Sequence, residues 1–87
     1  MTPDQIKDLS PEERTATFHR LACDWYGTER YGNLAVDDLG ITRSTLFAWK
    51  REDTVPAWAI ELLALRLERR SMRQLFADIG ALAARLP

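Results

Sequence analysis

Gly40-Ile41-Thr42-Arg43-Ser44-Thr45-Leu46-Phe47-Ala48-Trp49-Lys50-Arg51 holds a helix stop, a helix start and a two-sided helix in twelve residues. Gly40 can take the left-handed conformation that ends a helix sharply. Ile41 can drop into the space between two helices, and the Thr42 hydroxyl is suited to cap the free N–H groups of the next one. Within that next helix Leu46 and Trp49 are three apart and share an inward face. Arg43, Ser44, Phe47, Lys50 and Arg51 are left pointing outward. The pattern reads as the turn and second helix of a helix-turn-helix, with residues 43–51 as the helix that would lie in a DNA major groove. A short basic face rich in hydrogen-bonding groups suits phosphates and base edges.

Outward from this stretch, every segment reads as helix. Apolar and polar residues never alternate for long, and helix-start signals recur. Residues 2–9 can form a short helical turn with Pro3 near its start. Ser10-Pro11-Glu12-Glu13 combines an N-cap, a proline at the first helical position and a capping box, so a helix should run to about Tyr26 and stop at Gly27. On it Phe18, Leu21, Ala22 and Trp25 form one apolar stripe. Tyr31 to Leu39 would be the first helix of the motif. Leu34 or Ala35, with Val36 and Leu39, supplies its buried side, while Asp37 and Asp38 face solvent. Glu52-Asp53-Thr54-Val55 is a polar break. A further helix then starts at Pro56, with Asp53 or Thr54 near its cap, and Ala59, Ile60, Leu62, Leu63, Leu65 and Leu67 suit a helix packed on two sides.

The last segment allows two readings. Ser71-Met72-Arg73-Gln74 can open a new helix after a bend at Arg69-Arg70, or one helix can run from Pro56 to about Leu86. In either case Leu75, Phe76, Ile79, Leu82, Ala83 and Leu86 form an apolar stripe larger than so small a core can cover. A homodimer through this C-terminal helix would bury it. The expected architecture is all-α: a single helix-turn-helix domain of about five helices over residues 1–87, comprising segments 1–27, 31–51 and 56–86.

The net charge of −1 conceals an asymmetry. Residues 1–40 carry four basic side chains against eight acids, and residues 41–87 carry eight against five. The positive half contains the proposed recognition helix, and the acidic half is a candidate contact for RNA polymerase or another protein. A lone cysteine, Cys23, excludes an internal disulfide and fits a reducing cytoplasm. No stretch resembles a signal peptide or a membrane span, so a cytoplasmic protein without a membrane partner is expected.

Leu39 to Arg51, in the order quoted above, resembles the helix-turn-helix of phage repressor and Cro-like regulators. Val55-Pro56-Ala57-Trp58-Ala59-Ile60-Glu61-Leu62-Leu63 resembles the helix that follows it there. The likeness covers about residues 31–67, and Leu39 to Leu46 is also similar to the DNA-binding end of Fis-type proteins. This resemblance implies a phage-related transcription regulator that binds double-stranded operator DNA, usually as a dimer on a palindrome. Two positions depart from the pattern. Val36 stands where a small Ala commonly packs, and Phe47 stands where a polar base reader is common.

The candidate DNA-binding residues are Asn33, Thr42, Arg43, Ser44, Phe47, Lys50 and Arg51. Arg43 can read a guanine or hold a phosphate. Thr42 and Ser44 suit phosphates, although Ser44 can also join Arg43 in reading bases. Phe47 either touches a thymine methyl or edges the core. Lys50 and Arg51 supply charge to phosphates, and Asn33 either caps or both caps and touches phosphate. Arg66, Arg69, Arg70 and Arg73 align on one face of a continuous helix, either flanking DNA or pairing with the acids of the chain. His19, Cys23 and Asp24 are too few for a structural metal site and read as helix packing. No cofactor motif and no catalytic constellation is present, so an enzyme is not expected. The rival reading is a protein-interaction module on the same scaffold, such as a phage-type inhibitor or an accessory factor of RNA polymerase.

Overall fold

Helix formation begins twice with the same device. In α1 (Pro3–Lys7), the Thr2 hydroxyl accepts from the Gln5 N–H while the Gln5 side chain accepts from the Thr2 N–H. In α2 (Pro11–Tyr26), Ser10 and Glu13 repeat the exchange at 3.2 and 3.1 Å. Each reciprocal pair satisfies two N–H groups that an isolated helix would leave unbonded, and a proline opens each helix where no N–H is needed. The Ser10 contacts also hold the Glu13 carboxyl below the usual glutamate range.

Left-handed residues end the second, third and fourth helices. Gly27 closes α2 at φ 74°, and Gly40 closes α3 (Gly32–Leu39) at φ 66°. Thr42 caps α4 (Arg43–Glu52), its hydroxyl accepting from the Thr45 N–H at 3.1 Å. Asp53 ends α4 at φ 53°, the one non-glycine residue with positive φ among the described residues. Its carboxylate accepts a hydrogen bond from the Thr15 hydroxyl of α2 at 2.7 Å. This tertiary contact offsets part of the cost of a left-handed backbone at a residue with a Cβ. The last helix, α5, is Ala57–Arg85. This computed structural model describes residues 2–85; the architecture is all-α with five helices, and no strand occurs among the described residues.

Aromatic edges organise the core. Phe18 of α2 is fully buried and meets Tyr31 and Trp49 edge-on, with ring centroids 6.2 and 5.9 Å apart. Trp49 in turn meets Trp58 at 5.8 Å, which ties α4 to the start of α5. Such edge-to-face pairs add to the area that the rings bury. The first turns of α5 pack mainly on α2 and then on α1, whose single buried residue is Ile6. Ala59, Ile60 and Leu63 are the sealed positions of α5.

The structure decides between the two readings of the last segment and changes several other expectations. The segment from Ala57 is one continuous helix, with no bend at Arg69-Arg70 and no restart at Ser71. At about 1.5 Å per residue its 29 residues reach roughly 43 Å, which gives the molecule its 58 Å long axis. Val55 does not belong to a polar break, because it is 2% exposed and part of the core. Asp53 and Thr54 do not cap α5. Asp53 is spent on α4 and Thr15, and the Thr54 hydroxyl donates back to the Ala48 carbonyl. In α3, Ala35 takes the buried place while Leu34 is half exposed. Asp38 does not simply face solvent: it accepts from Tyr26 and from Arg66. Leu75, Phe76, Ile79 and Leu82 are exposed as a row, and Leu86 lies outside the described residues.

Candidate nucleic-acid interface

The geometry of α3 and α4 follows from where each can bury an apolar side. Leu46 and Trp49 turn into the core at 6% and 9% exposure, so Ser44, Phe47 and Arg51 are carried to the outside of α4. Arg43 and Lys50 lie on the edge of α4 that faces the start of α3. There the Arg43 guanidinium donates to the Asn33 side-chain oxygen. The Lys50 ammonium sits 4.2 Å from the centroid of the Tyr31 ring, a cation–π contact. Burial by these neighbours holds Lys50 below the usual lysine range.

Between the two helices lies a shallow cleft of about 120 Å³, walled by Gly32, Asn33, Arg43, Leu46, Phe47 and Lys50. One end of it is the first turn of α3. Tyr31 occupies the N-cap position of that helix without making a side-chain cap, so the first-turn N–H groups have no side-chain cap acceptor. Two cations beside such a helix start form a positively polarised recess. Four of the seven sequence-derived candidates therefore meet at one place: Asn33, Arg43, Phe47 and Lys50. Thr42, Ser44 and Arg51 do not line it. The Thr42 hydroxyl is engaged in the cap and lies 2.9 Å from the Thr45 hydroxyl, and Arg51 is 3.6 Å from the Glu52 carboxylate. Phe47 does not edge the core; it is 68% exposed.

Asn33 caps no helix. Gly27 ends α2, Tyr31 starts α3, and Asn33 lies in the first turn with its side chain turned to Arg43. Tyr31 and Gly32 belong to the site, although sequence reasoning assigned them no role in it. The signal was negative in kind: a predicted helix start with an aromatic residue where Ser, Thr, Asp or Asn would normally cap. Tyr31 is fixed from below, because its hydroxyl lies 2.9 Å from the His19 Nδ1 and its ring is fully buried. Burial, followed by the nearby Cys23, pushes its hydroxyl up to about 12.

The arginine row has a different fate. Arg66 pairs with Asp38, which also accepts from the Tyr26 hydroxyl at 2.7 Å. The Tyr26 contact first, and Arg66 second, hold the Asp38 carboxyl below its usual range. Burial and the same hydrogen bond push the Tyr26 hydroxyl upward. Arg70 reaches both the carbonyl and the carboxylate of Asp24 at 3.3 Å. Both guanidinium groups also lie over the Trp25 ring, at 5.7 and 5.5 Å. Half of the row is thus neutralised by acids of the first forty residues. His19 and Cys23 pack together, the Nε2 3.6 Å from the thiol sulfur. Among the described residues no group of three potential metal ligands occurs, and no helix is long and apolar enough to cross a membrane. No protein-family model matches the chain, and no similar curated protein or solved structure was found.

Proposed function

We propose that this chain is a small cytoplasmic transcription regulator that binds operator DNA as a dimer, with α4 in the major groove. The observation that carries this reading is the cleft at the start of α3, where Arg43 and Lys50 flank first-turn backbone N–H groups that no side chain caps. A DNA phosphate fits that recess, and a helix start of this kind favours an anion. With a phosphate docked there, the exposed side of α4 faces the groove. Ser44 and Phe47 are then the side chains placed for base edges and thymine methyls. Arg43 exchanges Asn33 for a guanine or a phosphate, and Arg51 adds charge at the helix end. The exposed stripe of α5 supplies the dimer contact, and the acidic surface of α1 and α2 is left for a protein partner such as RNA polymerase.

Selection of bound sequences from a random duplex library tests the reading at near-physiological salt. A recovered two-half-site motif is the expected outcome, with affinity falling steeply as salt rises. Arg43→Ala should then cost about 1–3 kcal/mol on that motif, and Lys50→Ala should weaken all sequences alike and reduce the salt slope by about one. Recovery of no motif from folded protein would overturn the proposal and favour the interaction module.

A further inference from the structure

The distal stripe of α5 has an internal order that specifies how it pairs. Leu65, Met72 and Ile79 recur at seven-residue spacing, with Phe76 between the last two and Ala83 one turn beyond Ile79, as in a two-helix seam. At 3.6 residues per turn this row lies on the side of α5 opposite to the fully buried Leu63. It is therefore a second face and not an overhang of the core. Leu65, Met72, Phe76 and Ile79 are each about half exposed or more, and Leu75 and Leu82 widen the row on one flank.

Charge is distributed unequally about that seam. Glu68 lies on the flank of Leu75 and Leu82, whereas Arg73 lies on the other flank, five residues further along. In a parallel two-fold pair, each flank of one helix meets the opposite flank of its mate, five residues on. Glu68 of one copy then meets Arg73 of the other, twice per dimer, and Arg69 at the edge of the seam adds a second cation to each carboxylate. Arg69 and Arg73 have no acidic partner within one copy among the described residues. An antiparallel pair brings like flanks together; with Met72 opposite Ala83 it leaves Arg73 opposite Gly80 and no arginine opposite Glu68.

We infer that α5 pairs with α5 of a second copy in parallel, across the seam from Met72 to Ala83. The inference rests on the dimeric reading above. It places both α4 helices at the same end of the pair, on a two-fold axis running along α5.

Cysteine crosslinking without DNA tests the pairing, in a Cys23→Ser background. Met72→Cys changes an exposed residue remote from the aromatic core. It should crosslink to itself on mild oxidation, and a mixture with Ala83→Cys should yield no preferred mixed product. A product formed only in that mixture would establish the antiparallel pair and overturn the inference, as would a monomer in sedimentation at hundreds of micromolar. Glu68→Arg should raise the dimer dissociation constant about five- to tenfold, and adding Arg73→Glu should restore it. A self-crosslinking protein that selects no DNA motif would support the pairing while removing the regulator reading. A motif-selecting monomer would refute the pairing alone.

Discussion

Between Ala57 and Arg70, α5 lies against α2 and α1, and Ala59, Ile60 and Leu63 are sealed from solvent. Between Ser71 and Ala84 every residue is exposed, although Leu75, Phe76, Ile79 and Leu82 are as apolar as the residues of the first half. Helical periodicity is present in both. The two halves teach that periodicity identifies a face but not what covers it. The first half draws its cover from the same chain, through the Trp49–Trp58 contact and the capped turns that bring α2 across it. The second half continues as helix because nothing in 71–85 stops it. Its stability as a single copy rests on propensity and on the local hydrogen bond that Gln74 donates to Asp78 at 3.1 Å, weak sources for so few turns.

Substitutions on the two sides of Arg70 should therefore behave differently. The largest effect is expected from Phe18→Ala, which removes the ring shared by Tyr31 and Trp49. It should cost about 3–5 kcal/mol in denaturant unfolding, enough to unfold much of so small a domain. A loss below about 1 kcal/mol would mean that the aromatic centre does not hold the first half together. Asp38→Asn comes next, at about 1 kcal/mol, because it weakens the links to Tyr26 and Arg66. Its pH signature is specific. The carboxyl titrates lower in the folded chain than in the unfolded one, so its contribution is complete above about pH 4. That contribution disappears as the pH falls through the lowered folded value. In denaturant unfolding the stability gap between wild type and Asp38→Asn should therefore close as the pH is lowered below about 4, and a gap that stayed constant would remove the Asp38 carboxylate as its source.

Smaller effects belong to the distal half. Gly80→Ala meets no atom within 4 Å and should raise helicity there by up to about 1 kcal/mol of local stability. Amide exchange across residues 71–85 would report it as added protection, with the core unchanged. Ile79→Lys should leave unfolding of the single copy within about 0.5 kcal/mol of wild type, while abolishing association in sedimentation. A Lys at 79 that destabilised the single copy by several kcal/mol would erase the contrast between the halves.

What could be read from the chain alone follows the same division between local and distant causes. Ser10 with Glu13, Gly27, Gly40 and Thr42 act within one turn of themselves, so their residue types announce their roles. Leu46 and Trp49 were legible because inward spacing on one helix needs no partner to be named. Val55 was not, since its burial depends on how α4 and α5 meet and its neighbours Glu52, Asp53 and Thr54 are polar. Within the candidate site, the exposure of Ser44 and Arg51 followed from α4 alone. The turn of Arg43 to Asn33 and of Lys50 to Tyr31 depends on the approach of α3, which no spacing within 43–51 encodes.

Asp53 has a mechanical consequence. α4 leaves its first turn through the Gly40–Thr42 corner and its last through a residue bonded to α2, so it behaves as a beam clamped at both ends. A beam of that kind resists rotation about its own axis, and whatever touches its exposed side is positioned relative to α2. Asp53→Gly should ease the backbone while freeing one clamp. The helix would then keep its length and lose its bearing.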